Sequence, residues 1–271
     1  EDHFVENLLI TTNHHTILFY TNKGRVYYLK AYQIAEASRT AKGTALINLL
    51  KLDEGEKVSA VIQVKDYNPD KFLFMATKMG IIKRVSLSDF NTSRKIGVIA
   101  ISLMDGDELI GVKITDGKQK IMLGTKNGMA IAFDEEQVRV MGRIARGVKG
   151  IRLSKGDEVV AMDTLKEGAD VLTVTECGLG KRTSIEQYTV QNRGGKGLIN
   201  LKVTEKTGAV IGMSVVHEDH ELLLITEGGV VLRTSISGIS QIGRNTQGVI
   251  IMKPADGDKV SSMATLLQKN D

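Results

Sequence analysis

The sequence predicts an all-β fold of the propeller type, with six blades of about four strands each. The main observation is a repeat, because five copies of Thr-x-x-Gly have glycines that stand 56, 48, 50 and 51 residues apart. A period near fifty residues is typical of solenoids, propellers and arrays. The composition agrees, since 28 glycines among 271 residues suit a chain with many tight turns. The five copies are Thr21–Gly24, Thr77–Gly80, Thr125–Gly128, Thr175–Gly178 and Thr226–Gly229.

Each copy of this motif lies between two apolar runs, and this pattern predicts a β-hairpin. In residues 17–29, for example, Ile-Leu-Phe-Tyr precedes the turn and Val-Tyr-Tyr-Leu follows it. We expect the glycine at the fourth position of the motif to adopt a positive φ. We also expect one domain over residues 1–271, built on hairpins near residues 17–29, 72–85, 120–133, 171–183 and 222–234.

Two further landmarks complete each repeat. The first is Arg-x-x-x-Gly followed by an apolar strand, and the second is an acidic turn followed by another strand. With the hairpin they give about four strands per repeat, which is the content of a propeller blade. Helices have little room, and we predict at most two turns at Tyr32–Ser38 and at Asp134–Val140. The arginine landmark occurs at Arg39–Gly43, Arg146–Gly150, Arg193–Gly197 and Arg244–Gly248, with Ser93–Gly97 as a copy that lacks the leading arginine.

The number of blades follows from the strand after the acidic turn, which occurs six times. Its first copy, Phe4–Ile10, has no hairpin before it, whereas each of the other copies follows one. We therefore expect the chain to begin inside a blade, so that the first of six blades is incomplete. The other copies are Val58–Val64, Leu109–Ile114, Val159–Leu165, Val210–Val216 and Val260–Leu266.

Basic residues are concentrated in one part of each repeat, between the hairpin glycine and the glycine of the arginine landmark. These segments carry net charges of +3, +3, +1, +3 and +2, whereas the whole chain carries +4. The rest of the chain is therefore acidic. Because equivalent positions of successive blades recur around a propeller, the pattern predicts a basic rim. Such a rim suits a polyanion that bends around it.

Duplex DNA is the partner that this charge pattern favours. Each phosphate neutralised by Lys or Arg releases counterions, so binding would be tight at low salt and would weaken as salt rises. Aromatic residues make up only 4% of the chain, too few for the stacking platforms on which single strands bind. The candidate DNA-contacting residues are Arg25, Arg39, Lys42, Lys83, Arg84, Arg94, Lys95, Arg143, Arg146, Lys149, Lys181, Arg182, Arg193, Lys196, Arg233 and Arg244.

The residues alone leave other functions open. The basic side chains could be ordinary solubilising residues, and the fold could be a protein-binding propeller or a propeller enzyme with an axial site. Protein-binding propeller families carry Trp-rich or double-glycine blade motifs, and this chain has no tryptophan. An axial enzyme site should show histidines or carboxylates clustered on inner strands, and none is visible.

No catalytic, nucleotide or metal site is recognisable in the sequence. Gly178–Thr183 superficially resembles a phosphate loop but lacks its spacing. His14-His15 and His217–His220 lack the spacing of a zinc helix, and Cys177 shows no feature of a nucleophile. A single cysteine fits a reducing cytoplasm. No apolar run approaches the roughly 20 residues that span a bilayer, so we expect no membrane contact.

Residues 175–197 closely resemble a blade of the C-terminal domain of the DNA gyrase A subunit. Their last seven residues are similar to the gyrase box of that family, Gln-Arg-Arg-Gly-Gly-Lys-Gly, with Asn192 in place of an arginine. The resemblance extends in order over essentially the whole chain, including Phe19–Tyr27, Ala37–Gly43 and Gly243–Val249. The residues that match the box are Gln191, Arg193, Gly194, Gly195, Lys196 and Gly197.

The resemblance implies a β-pinwheel, a propeller relative whose blades share strands with their neighbours. It implies a domain that wraps duplex DNA around a basic rim with positive handedness, so that the ATP-driven holoenzyme introduces negative supercoils. The catalytic tyrosine and the ATPase, with its ATP and Mg²⁺, would lie elsewhere in the complex, and this domain would hold no cofactor.

The implied partners are duplex DNA, the gyrase B subunit, and the N-terminal part of the same polypeptide, in an A₂B₂ complex. The isolated domain would be a monomer, and the location would be the bacterial cytoplasm, at the nucleoid. One departure weakens the expected wrapping, because the family carries its box in the first blade and the box-like copy here matches a later blade. The related C-terminal domain of topoisomerase IV, which steers DNA segments without strong wrapping, is the alternative within the family.

Overall fold

A computed structural model describes residues 14–40 and 46–267 of the chain. Their strands form five sheets, each built on one of the predicted hairpins, and we call these sheets blades 1 to 5 in chain order. The described chain divides into two compact units. The first unit holds the described chain up to Thr77, with Ile81–Gly117 and Val138–Val148, and contains blades 1 and 2. The second holds Lys78–Gly80, Lys118–Gln137 and the described chain from Lys149 onward, and contains blades 3 to 5.

Blade 1 is a four-stranded sheet in the first unit. It consists of β1 (Thr16–Thr21), β2 (Arg25–Lys30), β3 (Val58–Val64) and β6 (Val98–Ile99), in the spatial order β3-β1-β2-β6. The hairpin pairs β1 with β2 from Thr16 opposite Lys30 to Tyr20 opposite Val26. Between β2 and β3 the chain forms helix α1 (Ala31–Thr40) and a 3₁₀ turn (Leu46–Leu49).

Blade 2 completes the first unit. It consists of β4 (Phe72–Thr77), β5 (Ile81–Ser86), β7 (Leu109–Thr115) and β10 (Val140–Met141), in the order β10-β5-β4-β7, with β11 (Val148–Lys149) also beside β5. A 3₁₀ turn, Leu87–Phe90, follows β5. The pair between β10 and β5 is parallel, whereas β4 pairs antiparallel with both of its neighbours.

The second unit contains two four-stranded blades of the same design. Blade 3 consists of β8 (Lys120–Thr125), β9 (Met129–Asp134), β12 (Val159–Thr164) and β15 (Leu198–Ile199), in the order β12-β8-β9-β15. Blade 4 consists of β13 (Asp170–Thr175), β14 (Leu179–Ser184), β16 (Val210–Val216) and β19 (Val249–Ile250), in the order β16-β13-β14-β19. Short 3₁₀ turns, Glu135–Gln137 and Ile185–Gln187, follow the two hairpins.

Blade 5 has three strands among the described residues. They are β17 (His220–Thr226), β18 (Val231–Ser235) and β20 (Val260–Leu267), in the order β18-β17-β20, and a 3₁₀ turn, Ile236–Gly238, follows β18. In blades 1 to 4 the second hairpin strand is mostly buried, whereas β18 is mostly exposed or half-buried. The difference follows from the missing neighbour, because β18 has no fourth strand beside it in the described chain.

The threonine and the glycine of the Thr-x-x-Gly turn have different structural roles. In the turn of blade 3, the Gly128 N–H donates to the Thr125 carbonyl at 3.1 Å, and the Thr125 hydroxyl accepts the N–H of Met129 at 3.0 Å. Gly128 has a φ of +90°, as its position in the motif predicts. The threonine is therefore explained by a side-chain bond that closes the turn, which the sequence pattern did not indicate.

Each fourth strand comes from the repeat that follows the hairpin. Strands β6, β15 and β19 have two residues each and pair antiparallel with β2, β9 and β14. Hydrogen bonds at the hairpin turn hold the chain beside the short strand in place, because the Gly128 carbonyl accepts the N–H groups of Asn200 at 2.7 Å and Leu201 at 3.1 Å. The carbonyls of Gly24 and Gly178 make the same pair of bonds. Successive repeats therefore share strands, as the resemblance implies.

The core of each unit is built from the inner faces of its own blades. In the first unit Leu18, Tyr20, Leu73 and Met75 pack in one buried cluster with Phe90, whose ring meets that of Tyr20 edge-on at 5.7 Å. In the second unit one cluster joins residues of blades 4 and 5, and another joins residues of blades 3 and 4. Burial of these apolar side chains is the main favourable term in the stability of each unit.

The predicted fold needs two corrections. The β-propeller character is confirmed, but the count of six blades is wrong, because the described chain has five hairpins and a sheet forms on each hairpin. The sixth blade was inferred from Phe4–Ile10, which lies outside the described residues. The helix at Tyr32–Ser38 is longer than two turns, since α1 has ten residues. The region at Asp134–Val140 forms a single 3₁₀ turn, as predicted, and the single domain over residues 1–271 stays a prediction.

Candidate nucleic-acid interface

The hydrogen bonds of the shared strands define which residues of the arginine landmark are equivalent. Gly150 and Ile151 donate to the Gly80 carbonyl as Asn200 and Leu201 donate to that of Gly128. Gly147 is therefore equivalent to Gly197, and the landmark of this repeat runs from Arg143 to Gly147. The predicted Arg146–Gly150 is wrong by three residues, because both segments fit the pattern Arg-x-x-x-Gly. We call residues 93–97, 143–147, 193–197 and 244–248 the landmark loops.

The leading arginines of three landmark loops make the same contact. One terminal guanidinium nitrogen donates to a carbonyl of the preceding short strand segment: Arg143 to Ile99 at 3.1 Å, Arg193 to Lys149 at 3.0 Å and Arg244 to Ile199 at 2.8 Å. All three side chains remain half-buried rather than buried. Arg193 also donates its Nε to the Gln137 carbonyl at 3.3 Å, and each of the three guanidinium groups is thus held by a backbone carbonyl while part of its side chain faces solvent.

Glutamines hold two of these loops at their backbone. The Gln137 side-chain oxygen accepts the N–H of Arg193 at 2.8 Å, and that of Gln187 accepts the N–H of Arg244 at 3.3 Å. Both glutamines end a 3₁₀ turn that directly follows a hairpin. The sequence analysis missed them, although their equivalent positions after the hairpins were visible.

Two lysines predicted to contact DNA are instead fully buried and hold the landmark loops. The ammonium group of Lys83 donates to the carbonyls of Arg143 at 2.5 Å, Ala145 at 2.9 Å and Ala100 at 2.8 Å. That of Lys181 donates to the carbonyls of Gly243 and Arg244, and to the carbonyl and hydroxyl of Thr246. Side chains in these positions cannot reach a phosphate.

Burial shifts the ionisation of both lysines. It lowers the pKa of Lys83 to about 7 and that of Lys181 to about 8, and the nearby charges of Arg143 and Arg244 add to these two shifts. The carbonyl oxygens around each amine have the opposite preference, because they can only accept hydrogen bonds and so suit the protonated form. In blade 3 the equivalent position holds Ile131, so the box-like loop has no such lysine.

The arginines that follow these lysines are also largely buried. The Nε of Arg84 donates to the Val138 carbonyl at 2.9 Å, and its guanidinium lies 4.9 Å from the centre of the Phe72 ring. The Nε of Arg182 donates to the Ile239 carbonyl at 2.8 Å, and its terminal nitrogen pairs with Asp170 at 3.1 Å. Both arginines therefore hold the segment after a 3₁₀ turn rather than present charge to a ligand.

Two further candidates are neutralised by carboxylates of their own blade. Arg25 pairs with Asp53 at 2.5 Å and with Glu56 at 3.1 Å, and Arg233 pairs with Glu221 at 2.5 Å. Burial alone would raise the pKa of Glu56. Hydrogen bonds from the Thr21 hydroxyl, a backbone N–H and the Tyr27 hydroxyl, with the charge of Arg25, instead lower it below its usual range. The carboxylates of the acidic turn in this repeat therefore bond to residues of its own hairpin.

The remaining described candidates are exposed. The Nε of Arg94 donates to the Ile96 carbonyl at 2.9 Å, and the Lys95 ammonium lies 4.8 Å from the centre of the Tyr28 ring. Together with the half-buried landmark arginines, these exposed candidates divide between the two units. The first unit presents Arg94, Lys95, Arg143 and Arg146, and the second presents Lys149, Arg193, Lys196 and Arg244. Lys42 and the side chain of Arg39 lie outside what the structure describes.

Two glycines of the box-like loop have a positive φ. Gly194 has a φ of +85°, and its N–H donates to the Gly150 carbonyl at 2.7 Å, while the N–H of Gln191 donates to Ala132 at 2.8 Å. Gly197 has a φ of +79° and approaches the Ala130 carbonyl so closely that a Cβ would lie 2.2 Å from its oxygen. The fold therefore requires glycine at positions 194 and 197, whereas a Cβ at Gly195 would meet no atom closer than 3.9 Å.

A recurring basic position was missed by the sequence analysis. Arg152, Lys202 and Lys253 all lie five residues after the landmark glycine, and all three are exposed. The N–H of Arg152 donates to the Gly195 carbonyl at 2.8 Å, and that of Lys202 donates to Thr246 at 3.0 Å, so both lie beside the next landmark loop. The signal was available in the repeat, but the basic segments were ended at the landmark glycine.

The described residues contain no group of three or more His, Cys, Asp or Glu residues placed to hold a metal ion. Within residues 14–40 and 46–267, no helix has the length and apolar character needed to cross a membrane.

Comparison with known proteins identifies the family. The family model of the DNA gyrase C-terminal domain, a β-propeller, matches residues 15–65, 71–116, 119–166, 169–217 and 220–266, one match for each blade. The DNA gyrase A subunit of Clostridium acetobutylicum is 49% identical over 266 residues, which cover 98% of this chain and 32% of that protein. That of Salmonella typhimurium is 41% identical over 271 residues, which cover 100% of this chain and 31% of that protein. The chain thus spans about a third of the length of these relatives.

Two solved structures share the fold. The C-terminal domain of DNA gyrase A superposes with a TM-score of 0.81 at 28% identity, covering 95% of this chain and 84% of that one. The C-terminal domain of DNA topoisomerase IV superposes with a TM-score of 0.86 at 22% identity, covering 95% and 80%. The match of the family model to all five blades shows the family, and the two superpositions show the fold. The chain belongs to the family of DNA gyrase A C-terminal domains and has their β-propeller fold.

Proposed function

We propose that this chain binds and bends duplex DNA through its landmark loops, without sequence specificity. In this role it would support ATP-dependent negative supercoiling as the C-terminal domain of the gyrase A subunit. The observation that carries the proposal is the equivalent placement of Arg143, Arg193 and Arg244, each held by the same bond to a backbone carbonyl and partly open to solvent. Guanidinium groups held at repeated positions suit the phosphates of a continuous backbone.

Exposed basic residues beside these arginines extend the surface in both units. Lys196 and Arg146 belong to the loops themselves, and Arg152 and Lys202 lie next to them. Contacts from such groups to phosphates fix the position of a protein on the duplex and carry no sequence information directly. The proposed binding is therefore to the backbone and depends on DNA shape rather than on sequence.

The same domain would act within a larger assembly. We place it with the B subunit and with the N-terminal part of its own polypeptide in an A₂B₂ complex, at the nucleoid in the bacterial cytoplasm. ATP and Mg²⁺ would serve other parts of that complex, and this domain would need no cofactor.

Steering of DNA segments without strong wrapping, as proposed for topoisomerase IV, is the second candidate function. Ser93 favours it, because the first landmark loop lacks the leading arginine that the other three carry. Loss of that arginine removes one fixed phosphate contact from the series.

Titration of labelled duplex DNA with this chain at several salt concentrations tests the proposal. We expect binding at about 50 mM salt that weakens by about 10³-fold or more by about 200 mM, because each neutralised phosphate releases counterions. Duplexes of unrelated sequence should bind alike. No affinity for duplex at about 50 mM salt would contradict the proposal.

A further inference from the structure

Ile144 is an apolar side chain held out into solvent on a landmark loop. It is the second residue of loop 143–147, and 68% of it is exposed. The equivalent residues of the other three loops are Arg94, Gly194 and Asn245. Among the described landmark loops, this one alone therefore carries an apolar side chain at that position.

The backbone around Ile144 is held at three successive carbonyls. Lys83 donates to the carbonyls of Arg143 and Ala145, at 2.5 and 2.9 Å, and the Ser102 hydroxyl donates to the carbonyl of Ile144 at 2.5 Å. The Ala145 N–H closes the loop onto the Gly142 carbonyl at 3.2 Å. Turning the side chain of Ile144 inward would break these bonds, so the loop fixes it in the exposed position.

The surroundings of Ile144 combine apolar surface with positive charge. A hollow of about 470 Å³ is lined by Ile144, Ile99, Arg94 and Arg143 among others. Ile99 is itself 45% exposed. One carboxylate, that of Asp89, lines a second hollow that Ile144 and Arg143 also line. The tip of the loop is therefore apolar, and arginines outnumber the acid around it.

An exposed apolar residue alone carries little information, because such residues are common on protein surfaces. The rigid loop and the arginines beside Ile144 narrow the choice of partner. The minor groove of duplex DNA attracts arginines through its negative potential, and proteins that bend DNA there insert apolar side chains such as Ile between base steps. This combination matches what the loop presents.

We propose that Ile144 is a wedge that enters the minor groove of bound duplex DNA and kinks it, while Arg143 and Arg94 hold the flanking phosphates. The inference rests on the proposed binding of duplex DNA and adds a defined contact to it. Since a wedge opens one base step, it would place a local bend at this loop in addition to the smooth curvature that the phosphate contacts allow.

The test compares I144A with I114A by energy transfer between dyes at the two ends of a short duplex. Ile114 lies on β7 and is 44% exposed, so the control removes the same atoms from a similar surface. We expect I144A to reduce the bend by about 20° or more, the lower limit for a wedge, and I114A to leave it unchanged. The salt slope of binding should not change in either variant, because neither removes a charge. I144N, which copies the equivalent Asn245, should behave as I144A does.

A minor-groove ligand provides the second arm. Netropsin added to the bound duplex should reduce the bend made by the wild type and leave that made by I144A unchanged. A bend that is the same in wild type and I144A, or a wild-type bend that netropsin does not affect, would overturn the inference. If the wild type fails to bind duplex at all, the proposed function itself fails, so the two outcomes are distinguishable.

Discussion

At the scale of single residues, the glycine of the hairpin turn meets two separate requirements. Gly178 has a φ of +85°, and a Cβ at this position would lie 2.0 Å from the carbonyl oxygen of Met252. The sequence predicted the first requirement from the turn pattern. The second depends on a strand supplied by the next repeat, more than 70 residues further along the chain, and no local pattern indicates it.

Replacing Gly178 by alanine should therefore lower the free energy of unfolding by more than the positive φ alone would. Gly229 is the matched control, because it has a φ of +88° at the same turn position, and a Cβ added there would have no atom within 4 Å. We expect G229A to lower the free energy of unfolding by about 1–2 kcal/mol, and G178A by about 1–3 kcal/mol more. Urea unfolding of both variants measures the difference, and equal losses would contradict the close approach.

The buried lysines lead to a pH-dependent stability. Burial lowers the pKa of Lys83 to about 7 and that of Lys181 to about 8, below the value near 10.4 of an unfolded lysine. Between these values the unfolded chain binds more protons than the folded chain, so stability should rise with pH from about 7 to about 10. Each lysine can contribute up to about 1.4 kcal/mol per pH unit.

Unfolding of the double variant K83M/K181M between about pH 7 and pH 10 tests this, because the variant should lose the part of the slope that the lysines supply. The exposed pair Lys65 and Lys155, changed to methionine, serves as the control and should keep the slope. An identical slope in the wild type and in K83M/K181M would show that the two lysines do not titrate in this range.

At the scale of elements, the hairpins were predictable and the landmark loops only in part. The five predicted hairpins are all present, because two apolar runs joined by a glycine turn are a local signal. Two-residue strands such as β15 are too short to show a hydrophobic period, so the sequence could not assign the strands with which they pair. The ambiguity between Arg143–Gly147 and Arg146–Gly150 has the same origin, since hydrogen bonds to Gly80 decide it.

Burial also explains why charge counting overstated the number of DNA contacts. Lys83 and Lys181 add to the net charge of their segments, yet their ammonium groups point into the protein and bond to carbonyls. Sequence alone does not separate such lysines from exposed ones such as Lys196. The charge of a repeat was therefore a poor guide to which of its basic residues are exposed.

The three landmark arginines give a direct test of the loops. We expect the triple variant R143A/R193A/R244A to weaken duplex binding at low salt by about 10-fold or more, and to reduce the slope of log affinity against log salt by up to about 3, since about 0.9 is lost per phosphate contact. The measurement is a duplex titration at several salt concentrations.

The control K65A/K155A/K166A removes the same charge from exposed sites outside the landmark loops. It should leave the slope of binding nearly unchanged. Equal losses in the two triple variants would show that binding depends on net charge and that the landmark loops have no special role.

At the scale of the whole molecule, the blade count shows what repeat counting can establish. Five hairpins gave five blades among the described residues, whereas Phe4–Ile10, the strand copy from which a sixth blade was inferred, lies outside them. The family resemblance rested on the order of the motifs over the whole chain, and the motif of a single blade would not have been enough to establish it. The wrapping of DNA is a property of many blades acting together, and it needs a measurement on circular DNA.

Ligation of a nicked DNA circle in the presence of this chain separates wrapping from binding. If bound DNA is wrapped with positive handedness, sealing the nick fixes that writhe, and removal of the protein leaves positively supercoiled circles. We expect a positive shift of the topoisomer distribution that grows with the ratio of protein to DNA, and a smaller shift with R143A/R193A/R244A. A chain that binds the circle but leaves the distribution unchanged would contradict wrapping and support the steering of DNA segments instead. A negative shift would contradict both, because neither function constrains DNA in that sense.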